Sequence, residues 1–274
     1  MNTIEIKYFP LPIIPWERTA AGSFPEKWEE VNAAQLVAIA RNIRGETDNL
    51  SFLQRMTGIN KAALKKLSGF RLYKINELLN FTADKKAHNT FILNKITIAG
   101  LYFFPPQPKL KKMSFGQFIF ADTHFGNWQN SKDSGEAARF MASLYLPADL
   151  KFTEYLIEEN MHTFQKTDPV TLEAVTLNYL LIKEWLAQIY PLLFQHDDDH
   201  TSSNLPLAKG ESPQGEGVND AKPKKPHDPM AWMKIFETLV GDDLINQDRY
   251  ADMPVHNIFR YMSRKIKESM KRKK

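Results

Sequence analysis

Asp122 and His124, a carboxylate and an imidazole two residues apart, are the pair in this chain most suited to sharing a proton. General acid–base work would also need a nucleophile or an orienting third group in a recognisable pattern. None accompanies them. The chain holds no Gly-x-Ser-x-Gly and no glycine-rich phosphate loop. A second cluster, His196-Asp197-Asp198-Asp199-His200, offers ligand types suited to a divalent cation. It sits in a low-complexity stretch with no scaffold to fix a geometry. Cysteine is absent, so this chain has no disulfide, thiolate zinc site or cysteine nucleophile. The residues therefore predict no enzyme, no metal and no cofactor.

Asp122 is still unusual. On a helix it neighbours Phe118 and Ile119 one turn before and Phe125 one turn after. It must point toward an apolar face, where a carboxylate needs a partner. Arg139, on the next predicted helix, is the candidate. Both belong to the stretch 113–147, the densest run of aromatic and aliphatic residues at helical spacing. Ser114 with Gln117, then Asp133 with Glu136, give two helix starts of the capping-box type. Phe115, Phe118, Ile119 and Phe125 are predicted to share one face of the first helix. Ala137, Phe140, Met141 and Leu144 line the second, which Pro147 ends. Two such helices joined by a polar turn form a helical hairpin.

The flanking chain supplies further elements. Period-2 alternation over 3–9 predicts a strand, stopped by Pro10, Pro12 and Pro15. Asn32 and Gln35 open a helix closed near Gly45. Shorter helices follow to residue 82, with Leu72, Ile75, Leu78 and Leu79 marking the fourth. The helix, Gly-containing turn and capped helix of Leu53–Leu67 also describe a DNA-binding corner, with Lys61, Lys65 and Lys66 as contacts. Residues 91–104 are rich in β-formers and predict one or two short strands. Asp168-Pro169 opens a helix running to Tyr190 that is apolar on more than one face. The predicted fold is thus mainly α, a helical bundle with strands near 3–9 and 91–104.

Composition divides the chain. Residues 1–194 read as a helical body, with helical subregions 26–82 and 113–191. Residues 195–227 read as a disordered linker with almost no large apolar residues. Residues 228–274 read as a tethered two-helix module. In it Trp232, Met233 and Phe236 form one apolar stripe, and Ile258, Phe259 and Met262 belong to another, flanked by Arg260 and Arg264. These eight are the predicted partner-binding residues. The net charge of +4 is uneven: residues 260–274 carry +7 and the remainder −3. The body therefore gives no electrostatic support to nucleic-acid binding. No secretory leader and no membrane-spanning run is visible, so a cytoplasmic protein is expected.

SFGQFIFADTHF followed by AARFMASLYLP, and later WLAQIYPLLF, resembles a family of helical proteins encoded in phage and prophage tail-morphogenesis clusters. Phe115, Gly116, Phe118, Ile119, Ala121, Asp122, Phe125, Ala142, Leu144, Tyr145 and Pro147 match its pattern. Leu146 replaces the usual basic residue. MPVHNIFRYM resembles the C-terminal module of the same proteins. The resemblance covers less than half of the chain and implies no catalytic residues. It implies a tail-assembly chaperone or virion accessory protein in the host cytoplasm or the virion, whose partner is a phage structural or tail protein. The alternative is a DNA-binding accessory using the 53–67 corner or the basic tail.

Overall fold

The computed structural model describes residues 2–9, 16–84, 86–194, 230–241 and 243–272. The expected linker over 195–227, the Asp228-Pro229 helix start and Pro10, Pro12 and Pro15 lie outside the described residues. Within them the chain is mainly α, with one two-stranded and one three-stranded antiparallel sheet.

Strands β1 (Asn2–Tyr8) and β2 (Arg18–Phe24) pair antiparallel. The alternation that predicts β1 turns Ile6 inward. On β2, a Cβ at Gly22 would stand 2.3 Å from the Thr57 carbonyl oxygen. Glycine is what lets the strand lie against the end of helix α2 (Asn49–Thr57). Helix α1 (Ala33–Ile43) starts with the full reciprocal cap. Asn32 Oδ1 accepts from the Gln35 amide, and Gln35 Oε1 accepts from the Asn32 amide, both at 3.0 Å. Helices α3 (Lys61–Leu64) and α4 (Gly69–Leu78) follow. On α4 the inward residue is Ile75, while Leu78, predicted to join that face, is 49% exposed.

Strands β3 (Ile96–Ile98) and β4 (Leu101–Phe104) form a hairpin turning at Ala99 and Gly100, with φ of 50° and 81°. Two positive φ values are what a two-residue hairpin of the right twist requires. The third strand, β5 (Leu146–Pro147), comes from beyond the next helical pair. Pro147 thus does more than end a helix: it occupies the sheet edge, where a missing N–H is harmless.

The long helix α5 (Phe115–Ser131) is the centre. The spacing predicts one apolar face. In the fold it is buried all round, from Phe115, Gly116 and Phe118 through Ala121 and Asp122 to Phe125 and Gly126. The reason is that α5 has neighbours on every side. Helix α6 (Ser134–Leu144) makes the expected hairpin with it, and α7 (Tyr155–Phe164) packs outside α6. Helix α8 (Pro169–Ile189), capped by Asp168, covers another side and packs on α1. After it comes the short α9 (Pro191–Phe194).

The remaining sides of α5 are covered by α10 (Ala231–Val240), α11 (Gln247–Asp252) and α12 (Val255–Arg272). Gly116 lets α11 approach: a Cβ there would meet the Ala251 Cβ at 3.3 Å. The start of α12 is bonded to the start of α5. The Phe115 amide donates to the Met253 carbonyl at 2.8 Å, and the Val255 amide donates to the Met113 carbonyl at 3.0 Å. This replaces half of the expected capping box. Ser114 still accepts from the Gln117 amide, but the Gln117 side chain reaches the Ser143 carbonyl on α6 instead. The Phe115 amide and the Gln117 side chain are thus used to join α5 to α12 and α6.

Candidate functional site

Asp122 is 1% exposed, as its place among phenylalanines predicts. Its partner is not Arg139. Tyr179 donates its hydroxyl to Asp122 Oδ1 at 2.9 Å, and Lys183 Nζ lies 2.9 Å from the same oxygen. Both come from α8, four residues apart and so on one face. Lys183 also stands 5.6 Å from the centre of the Phe125 ring. Burial, and then the Asp122 charge, push the Tyr179 hydroxyl well above its ordinary pKa, so it stays protonated and donates. The cluster clamps α5 to α8. The i, i+4 spacing of Tyr179 and Lys183 is legible in the sequence. What is not legible is that α8 packs on the Asp122 side of α5.

Arg139 turns outward and pairs with Glu136 at 3.1 Å and Glu158 at 2.9 Å. His124 belongs to this second cluster, not to Asp122. Its Nδ1 lies 2.9 Å from Glu136 Oε2, which also accepts from Asn127 at 3.0 Å. The cluster ties α5 to α6 and α6 to α7. Burial pushes the Glu136 carboxyl up, but the His124 and Asn127 hydrogen bonds outweigh it and the net shift is downward. A carboxyl depressed on folding stabilises the native state above its unfolded pKa, and that stability is lost as pH falls through the folded value. The melting temperature of the native protein should therefore exceed that of Glu136→Gln at neutral pH. The gap should shrink below about pH 4.5. Paired thermal melts at pH 7 and pH 3.5 check this, and a gap independent of pH would contradict it.

The 53–67 corner is built as a packing element. Gly58 ends α2 with φ of 75°, and Asn60 caps α3, which is a single turn. Leu53, Met56, Ala63 and Leu64 are buried. Lys61 Nζ is held by Asp48 at 2.8 Å and by Ser51 at 2.8 Å. The bond from Lys61, and then those from the Ser51 hydroxyl and amide, keep the Asp48 carboxyl well below the usual carboxylate range. Lys65 and Lys66 are exposed. The His196–His200 run lies outside the described residues. Among the described residues no group of three His, Asp or Glu side chains converges to hold a metal.

Of the predicted partner-binding residues, Trp232, Phe236, Ile258 and Phe259 are buried. They face α5 rather than a partner. Phe259 meets Phe118 at 5.1 Å, Trp232 at 5.3 Å and Phe194 at 5.3 Å between ring centres. Phe118 meets Trp232 at 5.2 Å. The physical reason is that a short apolar stripe cannot stay in water when an aromatic helix lies within reach. Met233 and Met262 are half-buried. Arg260 and Arg264 are exposed on the other side of α12.

That outer side is the candidate site. A cleft of about 380 Å³ runs between it and the α8–α9 corner. Ile189, Pro191 and Leu192 form one wall, and Arg260, Arg264 and Lys267 the other. His256 fixes the head of this face. Its Nε2 lies 2.7 Å from the Lys109 carbonyl, which can only accept, so Nε2 carries the proton. In the neutral ring Nδ1 then accepts from the Tyr190 hydroxyl at 2.8 Å. Burial raises the Tyr190 pKa, against the pull of Arg260. Sequence reasoning identifies the basic tail but neither His256 nor its junction with residue 109, since the two lie 147 positions apart.

No helix among the described residues is long and apolar enough to cross a membrane. No protein-family model, no curated protein and no solved structure matches the chain.

Proposed function

We propose that this is a non-enzymatic binding protein of phage or prophage tail assembly, a chaperone or structural adaptor acting in the host cytoplasm or the virion. Its partner is a phage structural or tail protein, held on the outer face of α12. The observation that carries this reading is the division of labour on that helix. The apolar side of α12 is taken up by α5, whereas its cationic side, with the apolar-walled cleft beside it, is exposed among the described residues. Mixed cationic and apolar character suits a protein surface. The tail-assembly assignment itself rests on the sequence resemblance.

The test is Arg260→Glu, Arg264→Glu and Lys267→Glu together. All three side chains are exposed, so the fold should lose no more than about 1 kcal/mol from reversing their charges on the helix surface. Co-purification with a tail protein encoded beside this one should be abolished. Retained co-purification by the folded variant would overturn the reading. The DNA-binding alternative draws on the same cationic side. It requires an affinity that falls steeply with salt, in proportion to the phosphates neutralised.

A further inference from the structure

The cationic side of α12 continues into a second basic segment. Arg260, Arg264, Lys267 and Lys271 recur at three- and four-residue spacing and share one stripe. Ser263 lies in the same stripe, and its Oγ has no hydrogen-bond partner among the described residues. At the head of the stripe, His256 grips the Lys109 carbonyl. The loop it grips is strained: Lys109, Leu110 and Lys112 have φ of 59°, 51° and 62°. The strain is held by the burial of Leu110 and by a 2.6 Å bond from the Lys109 amide to the Asn89 carbonyl. Its result is that Lys109, Lys111 and Lys112 stand exposed beside the first turn of α12.

A run of cations thus extends from the loop along the helix. From His256 to Lys267 it spans about 16 Å, the length of about five extended residues. On the neighbouring face Glu268 lies 3.9 Å from Arg264. The complementary ligand is a polyanion. The wall of Ile189, Pro191 and Leu192 narrows the choice, because it offers aliphatic surface and no charge. Phosphate backbone would leave that wall wet. Base stacking is poorly served among the described residues: Tyr190 lines the cleft but bonds His256 and packs on Phe259, and Tyr261 already carries Arg264 and Lys265 at 5.7 and 5.6 Å from its ring centre. A lipid surface would need the apolar side of α12, which is buried on α5.

Resting on the adaptor reading of this same face, we infer that the site takes an extended acidic peptide segment of the partner, anchored by an aliphatic side chain in the cleft. The probe is a fluorescein-labelled eight-residue peptide of Asp and Glu with one central leucine, titrated onto the full chain. Binding should weaken at least tenfold in Arg264→Gln with Lys267→Gln, a pair that keeps helix propensity and so the fold. It should weaken at least threefold when the peptide's leucine becomes serine, and Leu192→Asp should erase that difference. Three outcomes would overturn the inference. One is equal or tighter binding of an oligonucleotide of the same charge. Another is indifference to the leucine. The third is binding only after Asp197, Asp198 and Asp199 become Asn, which would make the chain's own acidic run the occupant. Co-purification with the tail protein is scored in parallel. Peptide binding without tail-protein capture defeats the tail-assembly reading alone, and capture without peptide binding defeats this inference alone.

Discussion

Asp122→Ala is expected to destabilise the protein by about 3 kcal/mol. The substitution leaves the Tyr179 hydroxyl buried without its acceptor and the Lys183 ammonium without its counter-charge. Lys183 keeps 18% of its side chain exposed, so water can reach the orphaned cation and hold the loss near the low end for a broken buried pair. Asp122→Asn should lose less, because an amide oxygen can still accept from Tyr179. Arg139→Ala should lose less, about 1 kcal/mol, since its pairs with Glu136 and Glu158 remain in reach of solvent. Urea unfolding of the three variants gives the ranking. A near-zero value for Asp122→Ala would mean that the carboxylate is solvated, and that α8 does not close over α5.

The second large effect belongs to Phe259. The ring is fully buried among Phe115, Phe118, Tyr190, Phe194 and Trp232. Truncating a phenylalanine in such a site removes its transfer energy and leaves a cavity, together about 4 kcal/mol. Met270→Ala, on the same helix but 52% exposed, should be close to neutral. If α12 were an independent appendage, Phe259→Ala would melt that helix and leave the unfolding midpoint of the body unchanged.

Much of the architecture was legible because local signals are strong here. Asn32 with Gln35, Asp48, Asn60, Ser114, Asp133 and Asp168 all cap helices in the fold, four of them legible from spacing or from a following proline. The Ala99-Gly100 turn and the alternation of β1 were equally local. What was not legible was long-range. Periodicity predicts one apolar face for α5, and it fails on a helix surrounded by partners. The place of Asp122 among phenylalanines marks it as an inward residue, but its partner depends on which helix lies opposite, and α8 brings Tyr179 and Lys183. The stripes of α10 and α12 predict a cover in the same way, and periodicity points to a partner as readily as to α5. An amphipathic helix announces that it needs a cover, and nothing in its own sequence says whether the cover is its own chain. The site at the α12 face was half visible. The cations were counted, but their junction with the 109–112 loop depends on one histidine bond.

The central claim is that α12 belongs to the core through one side and is thereby free to bind through the other. The two amides that join its start to α5 test this most directly. Phe115 N–H bonds to Met253, and Val255 N–H bonds to Met113. Native-state hydrogen exchange should find both protected, opening only with the global unfolding free energy shared by the middle of α5. If the Val255 amide instead exchanges as fast as a fraying terminus while Phe118 and Ile119 stay protected, α12 is not part of the core and the account is wrong.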